Sequence, residues 1–349
     1  MKVYYTSTGG KNAQQVEEIK NHISYCEACV EASGSAYQVA RSPHDADIIV
    51  FIEPPYHKFR EYAHTLLGEE LIQRYPNRCF VIEYTDKSDG FLPGIYVGIA
   101  RGQADYNRFR SGCYVGTPHP MSTESARQRD NVRPDLLMSF RGFASSKVRG
   151  TILDAAYQRS DISIVENSNF GIWTQTNEAR RTYFSEMLRS KFVLCPRGSG
   201  LTSVRLFETM ESGRAPVILA DDWWPPEGPA WSEFSLMVSE SKAPDLATIL
   251  SAYAADAAEM GRLARKAWEE WFSQEVRAVR MLEAIEDIIM YRPAGHDEAA
   301  YQRDWLSWTF AWRNEWTIPQ KAWAAPRKAV RRARSDLLYR TSGRRRYAF

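Results

Sequence analysis

The chain has 349 residues, of which 44% are hydrophobic and 25% are charged, and its formal net charge is +2. This length accommodates two domains, and the composition excludes a disordered protein. Five cysteines are too few for a disulfide framework, and no apolar run approaches the ~20 residues of a membrane-spanning helix. Because the N-terminus also lacks the apolar stretch of a signal peptide, we expect a cytoplasmic protein with reduced thiols.

The first third of the chain alternates between two hydrophobic patterns. Apolar runs of strand length occupy Lys2–Tyr5, Asp47–Ile52 and Cys79–Tyr84, while helical patterns begin near Gln14 and extend over Phe59–Ile72. Buried strands that alternate with helices indicate an α/β layered domain.

A second alternation begins near Arg133. It comprises predicted strands at Leu136–Phe140, Ile162–Val165, Phe192–Cys195, Ala215–Ala220 and Ser235–Val238, with predicted helices at Ser146–Ala156, Asn177–Ser190 and Thr202–Ser212. Helices then dominate from Pro244 to Met290. We therefore predict two α/β domains, residues 1–130 and 131–292, followed by a helical, basic tail at 293–349.

The end of the chain is strongly basic. Residues 321–349 carry ten basic side chains and one acid, Asp336, so this tail has a charge of +9 and the rest of the chain −7. Such a tail suggests an anionic partner such as a membrane surface. Trp323 and the pair Leu337-Leu338 would instead allow packing on the N-terminal domain, so both placements stay open. Nucleic acid is not expected, because the body is acidic and no recognition motif is present.

Residues 192–220 carry most of the chemical information. A predicted strand runs into the loop Arg197–Gly200, and the next helix begins close to Ser203. Ligands of open parallel sheets bind at the carboxyl ends of strands, and a helix N-terminus at that point favours a phosphate. Arg197 and Arg205 add forked guanidinium donors suited to a diphosphate.

Glu208 extends this pattern by one helical turn. It follows Arg205 by three residues, so both side chains share one helix face. A carboxylate accepts two hydrogen bonds and a ribose diol offers two donors, so the pair could hold a nucleoside diphosphate. A surface ion pair fits the same spacing, and spacing alone favours the two interpretations equally.

One longer motif surrounds these residues, between Leu188 and Pro226. Its elements are Ser190, Phe192, Pro196-Arg197-Gly198, Ser203, Arg205, Glu208, Gly213, Pro216-Val217 and Asp222-Trp223, and upstream of them stand Gly142 and Arg149. This arrangement resembles the signature of the exostosin glycosyltransferase family, clearly over roughly residues 133–250. The chain departs from the family at Arg214, at Pro225-Pro226 and at Thr85-Asp86, where the family often has Cys, Pro-Phe and His-Asp.

The resemblance implies a GT-B fold, in which two Rossmann-like domains face a cleft. It also implies an inverting, metal-independent transfer from a nucleotide sugar, commonly a UDP-sugar, to a glycan or lipid-linked acceptor, without a cofactor. On this interpretation the donor-binding residues are Arg141, Arg149, Arg197, Gly198, Ser203, Arg205 and Glu208. A nucleotide-sugar-binding protein without turnover is the alternative. A Rossmann-type oxidoreductase is disfavoured, since the glycine fingerprint at residues 198–203 is incomplete.

An inverting transfer also needs a base that accepts the proton of the acceptor hydroxyl. Asp86 is the candidate, because it lies at the carboxyl end of a predicted strand in the N-terminal domain. Glu53, Asp89 and His119 are the alternatives. An acid at a strand end is also a common turn former.

Two further patterns are not interpreted as functional sites. Asp45-Ala46-Asp47 spells a metal-binding Asp-x-Asp, but it precedes a predicted strand instead of following one. Cys26 and Cys29 form a single pair, whereas structural zinc needs four ligands. No metal site is therefore predicted.

Overall fold

The structure, a computed structural model, describes residues 1–53, 59–86, 88–116, 129, 131–155, 157–166 and 176–314. Two parallel β-sheets with associated helices make up this part of the chain, which confirms the predicted α/β class and GT-B organisation. None of the described helices has the length and apolar character needed to cross a bilayer. His119 and the basic residues 321–349, which carried two of the sequence predictions, lie outside the described residues.

The N-terminal sheet has the strand order β2-β1-β3-β4-β5-β6. Its strands are β1 (Lys2–Thr6), β2 (Gln38–Val39), β3 (Ile48–Glu53), β4 (Cys79–Glu83), β5 (Gly94–Tyr96) and β6 (Phe109–Ser111). Every residue of β3 and β4 is buried, as expected of central strands in a parallel sheet. The sequence did not predict β2, β5 and β6, because two or three residues are too few to form a recognisable apolar run.

Three helices accompany this sheet: α1 (Ala13–Ala32), α2 (Phe59–Gly68) and α3 (Glu70–Arg74). Asn12 caps α1 by accepting a hydrogen bond from the backbone N–H of Gln15 at 3.0 Å. The single helix predicted over Phe59–Ile72 is divided, because Glu69 has an extended backbone with ψ 119°. The preceding Gly68 weakens a helix at that point.

The C-terminal sheet has the order β11-β10-β9-β7-β8. All five predicted strands are present, as β7 (Leu136–Gly142), β8 (Ile162–Glu166), β9 (Ser190–Pro196), β10 (Ala215–Leu219) and β11 (Leu236–Met237). The accompanying helices are α4 (Lys147–Asp154), α5 (Asn177–Leu188), α6 (Val204–Glu211), α7 (Trp231–Phe234), α8 (Leu246–Ala252) and α9 (Ala257–Trp271).

The last described helices return to the N-terminal domain. They are α10 (Arg277–Tyr291), α11 (Glu298–Gln302) and α12 (Trp308–Asn314). The Tyr37 hydroxyl donates to Glu286 of α10 at 2.6 Å, and the buried Trp305 contacts the ring of Phe91 with centroids 5.4 Å apart. Residues 277–314 thus follow the second sheet in sequence but pack against the first.

Candidate functional site

A pocket lies between the two halves, at the carboxyl ends of the strands. The N-terminal half contributes Asp86 and Tyr114 to its lining. The C-terminal half contributes Gly142, Phe143, Ser145, Arg149, Arg180, Tyr183, Phe184, Gly198, Ser199, Thr202, Ser203, Val204, Arg205 and Glu208. Five of the seven residues predicted to bind the donor line this pocket, together with the candidate base.

One phenol links the two residues predicted from helical spacing. The Tyr183 hydroxyl accepts a hydrogen bond from Arg205 Nε at 3.2 Å and donates one to Glu208 Oε2 at 2.6 Å. Arg205 also donates through Nη2 to the carbonyl of Arg141, and its guanidinium lies 4.6 Å from the centroid of the Phe140 ring. Arg205 and Glu208 are therefore fixed through a third residue and are not the surface pair that spacing alone allowed.

Burial changes the acidity of Glu208. The residue is 4% exposed, and this desolvation raises the pKa of its carboxyl to about 7. The hydrogen bond from Tyr183 and the charge of Arg205 act in the opposite direction but do not cancel the effect of burial. Glu208 thus changes charge close to neutral pH.

Arg149 stands beside the glycine loop that follows β9. Its guanidinium donates to the carbonyl of Pro196 at 3.3 Å, and a Cβ at Gly198 would lie 3.3 Å from its Nη2. Burial, followed by the neighbouring charge of Arg205, lowers the pKa of Arg149 to about 10. The absence of a side chain at Gly198 lets the backbone and the guanidinium approach each other at the pocket wall.

Two predicted arginines are engaged elsewhere. Arg141 Nε donates to Glu186 at 2.6 Å, and Arg197 Nε donates to Glu240 at the same distance. Neither arginine is among the residues that line the pocket. The structure therefore leaves Arg141 and Arg197 outside the pocket lining, with their positive charges paired to glutamates.

The start of α6 forms another part of the wall. Ser203 occupies the N-cap position but makes no side-chain capping bond, and the neighbouring Thr202 hydroxyl is buried without a hydrogen-bond partner among the described residues. Backbone N–H groups at such a helix start remain available to an anion.

Asp86 reaches the pocket from the N-terminal half. A Cβ at Gly200 would lie 2.8 Å from the carbonyl oxygen of Asp86 and 3.0 Å from its Oδ1, so the two loops are in close contact. The pKa of the nearby Tyr114 phenol is raised, by burial first and by the charge of Asp86 second. The predicted base and the predicted donor residues thus meet across one cleft.

The described alternative bases are placed differently. Glu53 is 1% exposed and accepts hydrogen bonds from the backbone N–H and the hydroxyl of Thr8, each at 2.8 Å. The backbone N–H of Asp89 donates to Glu83 at 3.3 Å. Neither Glu53 nor Asp89 lines the pocket.

Several lining residues were missed in the sequence. They include Arg180, Tyr183, Tyr114, Phe143 and Ser145. Only Arg180 and Tyr183 carried a usable signal, since they lie three residues apart within a predicted helix and hence on one face.

Four buried polar atoms at the pocket have no hydrogen-bond partner among the described residues. They are Arg205 Nη1, Arg180 Nε, Ser145 Oγ and Thr202 Oγ1. Buried polar groups are normally hydrogen-bonded, and each of these four can donate. A ligand rich in hydrogen-bond acceptors, such as a phosphate, would satisfy all four donors.

The Asp-x-Asp and Cys-x-x-Cys patterns, which the sequence analysis did not interpret as functional sites, both lie in the described part of the chain. Asp47 accepts a hydrogen bond from the backbone N–H of Lys2 at 2.6 Å, at the end of the sheet away from the carboxyl edge. Cys26 and Cys29 are buried and free. Within the described part of the chain, no group of three or more His, Cys, Asp or Glu side chains is arranged to hold a metal ion.

Comparison with known proteins finds similarity to one family in this region. Residues 104–253 match the Exostosin GT47 domain, which includes both β9 and α6. A probable glycosyltransferase of Arabidopsis thaliana is 37% identical over 196 residues, covering 54% of this chain and 32% of that protein. A probable glucuronosyltransferase of Oryza sativa subsp. japonica is 38% identical over 92 residues, covering 26% of this chain and 22% of that protein.

A probable β-1,4-xylosyltransferase of Arabidopsis thaliana is 43% identical over 72 residues, or 20% of this chain and 18% of that protein. The chain thus spans a third or less of the length of these curated relatives. Among solved structures, an α1,3-fucosyltransferase aligns with a TM-score of 0.45 at 13% identity, over 85% of this chain and 92% of that one. A sucrose-phosphate synthase of Thermosynechococcus elongatus aligns with a TM-score of 0.43 at 12% identity, over 83% and 99% of the two chains.

Proposed function

We propose, from the premise that this chain carries an exostosin GT47 domain, that it is an inverting glycosyltransferase. It transfers a sugar from a nucleotide sugar, a UDP-sugar in the first instance, to a hydroxyl group of a glycan or lipid-linked glycan. The observation that carries the proposal is a set of four donors around the interdomain pocket that have no hydrogen-bond partner among the described residues. A diphosphate supplies acceptor oxygens and negative charge for all of them.

The donor is oriented by its two polar ends. Glu208, at the inner wall, accepts hydrogen bonds from the ribose hydroxyls, while Arg205 and the start of α6 face the phosphates. Through its hydrogen bonds to both side chains, Tyr183 fixes the positions of Arg205 and Glu208 before the donor binds. Such preorganisation avoids the cost of reorienting dipoles as negative charge develops on the departing diphosphate.

The acceptor hydroxyl is activated from the opposite side of the cleft. Asp86 accepts its proton as the oxygen attacks the anomeric carbon on the face away from the diphosphate, so that the configuration inverts. The placement of Asp86 in the pocket lining supports this role over that of Glu53, whose carboxylate is bound by Thr8. The β-1,4 linkage in the name of one relative supports a sugar hydroxyl as the acceptor.

Protein groups supply the positive charge of the site. Arg149 and Arg205 line the pocket together with a helix N-terminus. These groups take the place that a divalent cation occupies in metal-dependent transfer. We therefore propose that the reaction needs no metal.

The test begins with binding of nucleotide sugars to the intact chain, followed by nucleoside diphosphate release in EDTA with glycan acceptors. We expect one donor to raise the melting temperature and its diphosphate to be released. Asp86→Asn should abolish release while donor affinity stays unchanged, because the base acts on the acceptor.

Asp89→Asn is the matched control, since Asp89 is a nearby acid of the same loop and does not line the pocket. A donor that binds without any release would favour the binding protein over the enzyme. Release that depends on added Mn²⁺ or Mg²⁺ would overturn the metal-independent mechanism. Loss of release in Asp89→Asn but not in Asp86→Asn would assign the role of the base to Asp89 instead of Asp86.

A further inference from the structure

Arg180 is a pocket arginine to which the family signature assigns no role. It belongs to the first turn of α5 (Asn177–Leu188) and lines the pocket at intermediate exposure. Its Nε is buried without a partner, and no described carboxylate forms an ion pair with it. Its guanidinium is thus a cation at the site with its hydrogen-bonding capacity unused within the described part of the chain.

The other arginines near the site are already engaged by protein atoms. Arg205 is bound by Tyr183 and by the carbonyl of Arg141, and Arg149 donates to the carbonyl of Pro196. Arg141 and Arg197 form ion pairs with glutamates. These contacts hold the engaged side chains in place, whereas no described protein atom accepts the Nε proton of Arg180.

The direction of α5 fixes where Arg180 stands along the pocket. In a parallel sheet the helix after a strand begins at the carboxyl edge, so residues early in α5 are nearest the cleft. Tyr183, which contacts Arg205 and Glu208, lies on the same face three residues later, about 4.5 Å deeper along the helix axis. Arg180 is therefore farther toward the N-terminal half than the level at which Arg205 and Glu208 meet.

We propose that Arg180 binds the terminal phosphate of the nucleotide, the one that carries the sugar. This inference rests on the proposed function, because it takes the ribose to lie at Glu208. A diphosphate that starts at this inner wall must extend outward to reach the reacting atoms near Asp86. The outermost unengaged guanidinium then meets the second phosphate and stabilises the charge that grows on it as the sugar departs.

The experiment compares nucleotides that differ only in the second phosphate. Titration calorimetry of the full chain uses UDP and UMP, with GDP and GMP in parallel because the argument concerns the phosphate and not the base. We expect the wild type to prefer the diphosphate. Arg180→Met should weaken diphosphate binding about tenfold or more and change monophosphate binding little, since a charge-assisted hydrogen bond is lost only in the first case.

Arg181→Met is the matched control, because Arg181 is exposed on the same helix and does not line the pocket. It should leave both affinities unchanged, and Arg180→Lys should restore part of the preference. Equal weakening of both nucleotides, or no weakening, overturns the assignment to the terminal phosphate and leaves the proposed function standing. A wild type that binds none of the four nucleotides overturns the proposed function and this inference with it.

Discussion

At the scale of single residues, the site concentrates ionisable groups that water does not reach. Glu208 and Arg205 are 4% and 6% exposed and are held apart by one phenol, that of Tyr183. Burial disfavours the charged carboxylate, and this is why its pKa rises. Such a group destabilises the folded protein once it ionises, because the charged carboxylate is kept from water.

Glu208→Gln should therefore change how stability depends on pH. The folded-state pKa of about 7 exceeds the ordinary 4.5, so the native state binds the proton more tightly and stability falls as pH rises from 4.5 through 7. The rise in pKa corresponds to about 3 kcal/mol of stability. Without ligand, the free energy of unfolding of Glu208→Gln, measured with denaturant, should increase relative to that of the wild type between pH 5 and pH 8.

The exposed Glu178→Gln on α5 is the control and should follow the wild-type curve. Parallel pH profiles for wild type and Glu208→Gln would show that Glu208 does not ionise in this range.

At the scale of elements, the loop between β9 and α6 forms the contact with the opposite half of the cleft. Gly198 faces Arg149 and Gly200 faces Asp86. The lack of a side chain at these two glycines allows the loop to lie close to Arg149 on one side and to Asp86 on the other. A parallel sheet always delivers such a loop to its carboxyl edge. The distance between the proposed donor site and Asp86, the proposed base, then depends on how closely the loop approaches the turn after β4.

Gly200→Ala tests this spacing. Its Cβ would come within 2.8 Å of the Asp86 carbonyl and 2.9 Å of its Cα, so backbone must shift. A displacement near 1 Å can cost about 10²-fold in rate, so we expect kcat to fall by one to two orders of magnitude while nucleotide affinity changes less. Steady-state kinetics with nucleotide titration separate the two effects.

Gly102→Ala is the matched control, because a Cβ there meets nothing within 4 Å. Unchanged turnover in Gly200→Ala would mean that the loop and the turn can separate without consequence for the chemistry.

At the scale of the whole molecule, the last described helices pack against the domain that begins the chain. Residues 277–314 pack on the N-terminal domain, and a buried ion pair secures the return. Arg108 of the N-terminal half donates to Glu298 through Nε at 3.3 Å and Nη2 at 3.1 Å, and His296 lies 2.8 Å from the same carboxylate. Both ion-pair partners are at most 4% exposed, so water cannot replace the partner of either charge if the pair is broken.

Glu298→Ala should destabilise the protein by about 3–5 kcal/mol, because it leaves Arg108 buried and unpaired. Urea unfolding measures the change. Glu259→Ala, which breaks an exposed pair with Arg262, should have no measurable effect. A Glu298→Ala variant with wild-type stability would contradict the view that this pair holds the C-terminal helices in place.

Local pattern alone predicted the alternation of strands and helices, because buried strands and amphipathic helices differ in hydrophobic period. The loop after β9 and the spacing of Arg205 and Glu208 were likewise visible in the sequence, and the structure brings both residues to one pocket with Ser203 and Gly198. Asp86 was also predicted at a strand end and lines the same pocket.

Tertiary packing decided which charges remain available. In the sequence, Arg141 and Arg197 were candidates for donor binding just as Arg205 was. In the structure each is paired with a glutamate more than 40 residues away along the chain, Arg141 with Glu186 and Arg197 with Glu240. Arg180 faces the pocket because of how α5 is rotated on its sheet. Short-range periodicity in the sequence determined the longer strands and helices, and the motif is also visible there. The choice of ion-pair partners, the rotation of α5 and the packing of residues 277–314 on the N-terminal domain depend instead on contacts between distant segments, which a local pattern does not contain.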